Sequence, residues 1–298
     1  MRTVRIATWN VNSLKQRLPR FLPWLGERRP DVVCLQETKL ADDALAEVLG
    51  DELADRGYEI AAHGEATWNG VAILSRVGLE DVQAGIPGGP GFPSPEARAV
   101  SATCGGIRVV SVYVPNGREP GSDHYRYKLD WLASLREMVA AGPEATLVAG
   151  DMNIAPTDAD VFDPEAYVGQ THVTAPEREA LAELQQLGLH DVVRDRWPDE
   201  RVFSYWDYRA GMFHQDLGMR IDLILAGGPV AERVRAGADG GGTTGPMSPS
   251  GASSRSTMTG AWSLGPLPLR AWRSTHAART RSVTFALAST RSIRIPRS

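Results

Sequence analysis

Apolar and polar positions along this 298-residue chain repeat with two periods. Short apolar or alternating runs predict strands over residues 3–9, 31–36, 58–63, 70–75, 98–103, 108–113, 145–149 and 220–226. The run from Asp31 to Gln36 is nearly all apolar, the type buried on both faces. Helical spacing of Leu18, Phe21, Leu22 and Leu25 predicts a helix over Leu14 to Arg28. Further helices are predicted over Asp42 to Arg56, stopped by Gly57, over Tyr125 to Ala140, and over Pro176 to Leu187. The Gly- and Pro-rich stretch from Gly85 to Pro95 must be a loop.

Several predicted strands end in the same way, on groups that are costly to bury: Asn10, Glu37, Tyr113, and Asp151 with Asn153. The richest end is Val148-Ala149-Gly150-Asp151-Met152-Asn153-Ile154-Ala155-Pro156. Gly150 is expected to break the strand. Asp151 and Asn153 are one residue apart, so on an extended end they project the same way until Pro156 stops the extension. A carboxylate can take a proton from water and an amide can donate to a phosphate oxygen, which is what phosphodiester cleavage requires. Asp and Asn are also common turn formers, so this stretch alone supports a plain polar turn equally well. Asp222, inside the apolar run Arg220 to Ala226, needs a partner to offset its desolvation. If the strand ends meet at one edge of the sheets, they form a single cleft.

Composition narrows the class. Hydrophobic content of 42% is that of a globular protein, and no apolar run is long enough to span a membrane. The N-terminus enters a strand directly with no signal-peptide pattern, and Cys34 and Cys104 sit in strand-like runs as small core residues. The expectation is a cytoplasmic protein without disulfides. The net charge of −4 is uneven. From Arg235 onward there are nine Arg, no Lys and one acid, Asp239, leaving 23 basic and 35 acidic residues before it, a net of −12. Such a body does not suggest non-specific nucleic-acid binding through bulk charge, but clustered acids suit a divalent cation.

Six runs together resemble the exonuclease III family of DNA-repair nucleases, within the endonuclease/exonuclease/phosphatase superfamily. They are Thr8 to Leu14, Leu35 to Lys39, Tyr113 to Gly117, Gly150 to Ile154, Ser204 to Arg209 and Arg220 to Leu223, in the family's order. The resemblance implies a two-sheet α/β sandwich with outer helices. It implies that Glu37 holds Mg²⁺ or Mn²⁺, with Asn10 and Asn12 in the same network; hard oxygen ligands suit that ion. It casts Asp151 as the group that orients or deprotonates the attacking water, Asn153 and Tyr113 as donors to the scissile phosphate, and Asp222 as a catalytic acid that orients a His. Trp206 resembles the aromatic at the abasic-sugar pocket, Lys39 contacts phosphate or Glu37, and Asn116 lies on the DNA side. The implied substrate is duplex DNA with abasic sites or 3′ ends, cleaved by a monomer.

The chain departs from the family at its end. The family's Ser-Asp-His motif before a last core strand has no counterpart after Asp222; His276 sits in a different context. Of the 64 residues from Arg235 to Ser298, 50 are Ala, Gly, Pro, Arg, Ser or Thr, a composition that a GC-rich gene yields when read out of frame. The expected organisation is a nuclease domain over residues 1–234, its final strand missing, and a disordered or frameshifted tail over 235–298. Two alternatives stand beside the DNA-repair reading: a superfamily phosphodiesterase or phosphatase acting on lipids or inositol phosphates, and a catalytically dead DNA-binding remnant.

Overall fold

Two mixed sheets pack face to face with helices on both outer faces, as the two periods predict. The computed structural model describes residues 2–207, 209–232, 234–236, 260–264 and 281–287. In chain order the strands are β1 (Arg2–Asn10), β2 (Val32–Gln36), β3 (Glu59–His63), β4 (Val71–Ser75), β5 (Glu80–Ala84), β6 (Ala99–Cys104), β7 (Ile107–Tyr113), β8 (Thr146–Asp151), β9 (Leu189–Asp191), β10 (Asp222–Gly227), β11 (Val234–Ala236), β12 (Gly260–Leu264) and β13 (Arg281–Leu287). One sheet has the order β11-β12-β13-β1-β2-β4-β3 and the other β5-β6-β7-β8-β10-β9. The long helices are α1 (Leu14–Arg28), α2 (Asp42–Ala54), α3 (Asp123–Ala140) and α4 (Ala175–Gln186). Among the described residues no helix is long and apolar enough to cross a membrane.

Alternation along each strand builds the layers. Val4, Ile6, Val32 and Cys34 of the first sheet meet Ile107, Val109, Leu147, Ala149, Ile224 and Ala226 of the second. Their neighbours one residue away face the helices: Ala7, Trp9, Val33 and Leu35 pack under α1 and α2. Val110, Val112, Val148, Leu223 and Leu225 pack with the buried residues of α3 and α4. Both cysteines are buried and unpaired.

Four features depart from the sequence reading. The polar strand β5 and the three-residue β9 lack an apolar signal of their own and are set by pairing with β6 and β10. Gly150 does not break β8, which runs through it to Asp151. A Cβ at Gly150 would stand 2.0 Å from the Val112 carbonyl oxygen on β7, so only glycine lets the two strands approach. The expected missing final strand is also corrected: β13 pairs in parallel with β1, Val4 opposite Val283 and Ile6 opposite Phe285. The edge groups of β1 need partners, and this segment carries β-forming Val283, Thr284 and Phe285. The expected disorder of the remaining tail, and His276 with it, falls outside the described residues. Fourth, Asn153 is not extended but left-handed, with φ 50°.

Candidate active site

The inward-facing positions grade from apolar to polar toward one end of the sheet interface. Along β1 they read Val4, Ile6, Thr8, Asn10; along β7, Ile107, Val109, Ser111, Tyr113; along β8, Leu147, Ala149, Asp151. The gradient begins inside the core, where Thr8 donates to Gln36 Oε1 at 3.2 Å and Gln36 Nε2 donates to Ser111 Oγ at 3.2 Å. It ends in a cavity of about 230 Å³ lined by Asn10, Asn12, Glu37, Tyr113, Asn116, Asp151, Asn153, His172, Ser204, Tyr205, Trp206, Ile221 and Asp222.

Register places the groups. Tyr113 lies opposite Asp151 in the parallel β7–β8 pair, and Asp222 lies opposite Asp151 in the antiparallel β10–β8 pair. Tyr113, Asp151 and Asp222 thus form one row across three strands. The other sheet contributes Asn10 at the end of β1 and Glu37 just past β2. Asn10 Nδ2 joins the two sheets, donating to Glu37 Oε1 at 2.8 Å and to Asp151 Oδ2 at 2.9 Å. Asn10 Oδ1 accepts from the Asn12 amide at 3.0 Å. Lys39 Nζ reaches both Glu37 Oε2 at 2.9 Å and Asn12 Oδ1 at 2.7 Å. Non-glycine residues with left-handed backbone gather here: Asn12, Glu37, Lys39, Asn153 and His172 all have positive φ. Such strain persists where surrounding contacts impose it, and it gathers at functional sites.

On the second sheet, the Asn153 amide donates to Asp151 Oδ1 at 2.9 Å, and its Nδ2 donates to Val114 O at 2.9 Å. Asn116 Nδ2 lies 3.4 Å from Asn153 Oδ1. Asp222 receives no His among the described residues. Its Oδ1 is buried without a hydrogen-bond partner, while its backbone amide donates to Ser204 Oγ at 3.0 Å. Trp206 borders the cavity through ring-edge packing on Phe203 and Phe213, with centroids 6.4 and 5.5 Å away, and its Nε1 donates to Asp216 at 3.2 Å. Gly218 allows this indole its seat, since a Cβ there would meet Trp206 Nε1 at 2.6 Å.

The electrostatics follow from burial of like charges. Burial pushes the Asp151 carboxyl up to about 7; Glu37 adds to the rise, and the hydrogen bonds from Asn10 and the Asn153 amide pull against it. Burial, and then the Asp151 charge, hold Asp222 well above the usual carboxylate range. Burial, Glu37 and Asp151 likewise raise the Tyr113 phenol, which keeps its proton as a donor. Arg98 lies over the Tyr113 ring at 4.8 Å.

Among the described residues no three His, Cys, Asp or Glu side chains converge as a metal centre. The oxygen set is one carboxylate, Glu37, with the side-chain oxygens of Asn10 and Asn12. Hard oxygens with a single carboxylate fit a cation that keeps much of its water shell, as Mg²⁺ does. Lys39 brings positive charge to the same oxygens, so a cation at Glu37 competes with that ammonium.

All ten residues singled out in the sequence lie in or beside this site, Lys39 through its contacts to Glu37 and Asn12. Sequence reading missed His172 and Ser204. A signal for His172 existed: Thr174 and Glu177 form a capping box at the start of α4, which places His172 two residues before the N-cap Thr174.

The sequence pattern of the Endonuclease/Exonuclease/phosphatase family matches residues 7–250, ending inside the Gly/Ser/Thr/Arg-rich stretch. An exodeoxyribonuclease of Bacillus subtilis is 28% identical over 238 residues, spanning 78% of this chain and 91% of that protein. The structure of an AP endonuclease from Archaeoglobus fulgidus superposes with a TM-score of 0.72 at 37% identity, covering 79% of this chain and 90% of that one. The 3′ phosphatase NExo from Neisseria, solved bound to a product DNA hairpin, gives 0.73 at 38% identity, covering 77% and 89%.

Proposed function

The chain belongs to the endonuclease/exonuclease/phosphatase family, as an enzyme of its exodeoxyribonuclease and AP endonuclease branch, and from this we propose that it hydrolyses phosphodiesters of duplex DNA in repair, at abasic sites and from 3′ ends. The observation that carries the reading is the Asn10 amide bridging Glu37 and Asp151 across the two sheets, with Tyr113 and Asp222 in register beside it. The row supplies a base and donors on one wall of a cavity of about 230 Å³, room enough to admit a phosphate group.

In this reading Asp151 holds the attacking water and takes its proton; a base with a pKa near neutrality is well matched to that task. Asn153 and Tyr113 donate to the phosphate oxygens, where negative charge grows as the water oxygen attacks. Asn116 extends the donor surface toward the DNA backbone. Trp206 selects the substrate by lining the space that an abasic sugar would take or by stacking against the terminal base. Glu37, with Asn10 and Asn12, would hold Mg²⁺ or Mn²⁺, which when bound supplies positive charge toward the phosphate and the leaving oxygen.

The test uses a duplex with one abasic-site analogue and a second duplex with a recessed 3′ end, each with Mg²⁺ and with chelator. Magnesium-dependent cleavage of both is expected. Hydrolysis of an inositol phosphate with neither duplex cut would sink the reading. Likeness to the Neisseria enzyme favours a second activity at the same site, removal of 3′-phosphates. A 3′-phosphorylated duplex in the same assay measures it.

A further inference from the structure

Directly behind Asn153 lies a buried ion pair that the reaction as drawn leaves unused. Lys128 and Glu177 side chains are both fully buried, 2.5 Å apart. A buried pair of this kind is a poor source of stability unless every polar atom is satisfied. Here each is. Lys128 Nζ spends its three donors on Glu177 Oε1, on Asn153 O at 2.7 Å and on Asn116 O at 3.2 Å. Glu177 accepts in addition from Thr171 Oγ1 at 2.8 Å, from the His172 amide at 3.0 Å, and from Thr174 Oγ1 at 2.7 Å. The two carbonyls that Lys128 holds belong to Asn153 and Asn116, both of which line the cavity.

His172 completes the arrangement. Its backbone is left-handed at φ 80°, held by Glu177 on one side and by the Ala155 amide, which donates to its carbonyl at 2.8 Å, on the other. Its Nδ1 lies 2.6 Å from Asn153 O. A carbonyl can only accept, so Nδ1 carries the hydrogen. The opposite nitrogen, Nε2, lies 3.4 Å from Asn116 Nδ2, an amide nitrogen that can only donate. The ring is therefore the neutral Nδ1–H tautomer, in keeping with burial and then Lys128 driving its pKa down to about 4. Both lone pairs of the Asn153 carbonyl are now taken, by Lys128 and His172. The same residue's amide holds Asp151 Oδ1 at 2.9 Å.

We propose that Lys128, Glu177 and His172 are positioning residues, which lock Asn153 in its left-handed turn so that its amide aims the Asp151 carboxyl and its side chain faces the phosphate. The proposal rests on the nuclease reading of the site. Lys128 and Glu177 are shut off from the cavity by full burial, His172 meets it only at the rim of its lining, and all three act through Asn153.

Three variants of the full-length chain separate positioning from packing. His172→Asn places an amide nitrogen near Nδ1 and keeps the donor to Asn153 O. His172→Gln reaches the Nε2 position and loses that donor, and His172→Ala loses both. A displaced catalytic group costs roughly 10- to 100-fold in rate, so kcat should fall by about that factor in the Gln and Ala variants, with binding of abasic duplex in chelator unchanged. The Asn variant should stay near wild type. Equal losses in the Asn and Gln variants, or losses that follow binding or melting temperature, overturn the proposal. A second measurement needs no turnover: nitrogen NMR of the His172 ring in the free protein should show the neutral Nδ1–H tautomer. The Nε2–H tautomer or a charged ring at neutral pH overturns the proposal. If the wild-type chain cuts neither duplex, the nuclease reading fails, and the ring tautomer still decides the arrangement around Asn153.

Discussion

Gly150→Ala tests the coupling between fold and site. The added Cβ would stand 2.0 Å from Val112 O and 2.9 Å from Val112 C, both main-chain atoms that cannot rotate away. Since real Cβ contacts essentially never fall below 3.0 Å, β7 and β8 must part by roughly 1 Å. Overpacking of this kind costs about 1–3 kcal/mol, and the φ of 152° at this position, which a side chain rarely adopts, adds about 1–3 kcal/mol. The sum, roughly 2–6 kcal/mol, is a large share of a total stability of about 5–15 kcal/mol. At roughly 2–4 °C per kcal/mol for a domain of this size, the melting temperature should drop by about 4–24 °C. The parted strands also carry Tyr113 away from Asp151, and a misplacement near 1 Å costs roughly 100-fold in rate. Calorimetry and abasic-duplex cleavage on the same preparation measure both. A variant that melts with the wild type and cleaves at the wild-type rate would refute the argument that glycine is required for the strand contact and for the row it aligns.

Glu37→Gln keeps the shape and the Asn10 contact but removes the charge that would hold a cation. Activity should fall and partly return at high Mg²⁺ or Mn²⁺ with the melt unchanged; full activity at low Mg²⁺ would remove Glu37 from the cation site. Trp206→Ala should harm abasic-site cleavage more than release of nucleotides from a plain 3′ end, by tenfold or so if a stacking contact of about 1–3 kcal/mol is lost; equal losses would mark the indole as packing only. Burial opposes ionisation of Asp160, but hydrogen bonds and charge from Arg220 and Arg194 outweigh it and hold its pKa below the usual value. Its stabilisation is therefore present above the unfolded pKa of about 3.9 and lost as pH falls through the lower folded value, so acid melts of wild type and Asp160→Asn should converge below about pH 4. Asp222 Oδ1 has no partner among the described residues, and such a buried group costs about 1–3 kcal/mol. Exchanging residues from Arg235 onward, β12 and β13 included, for a segment that carries Ser-Asp-His-Gly-Pro ahead of its own strand beside β1 should give Asp222 a His and raise both the melting temperature and abasic-site cleavage; a natural chain that matches the exchanged one would show that its own tail serves.

The elements and their faces were legible in the sequence because both are local. Period-two runs placed Val4 and Ile6 on one side of β1 and Ala7 and Trp9 on the other, and α1 follows its spacing over Leu14–Arg28. The polar strand ends were legible too, since Asn10, Tyr113 and Asp151 continue apolar alternations that must be core. What tertiary structure decided is who meets whom. Asn10 and Asp151 are 141 residues apart and joined by one hydrogen bond, which no local pattern encodes. Asn153 faces the cavity through a left-handed turn that its carbonyl's two donors hold, instead of through the pleat that its spacing suggested. His172 and Lys128 reach that carbonyl from a loop and a helix whose own sequences show only an approaching capping box and a buried face. Alternation and helical spacing are set by bonds along the chain, whereas the site is set by strand register between distant segments, where the cost of burying an unpaired polar group selects one pairing over the rest.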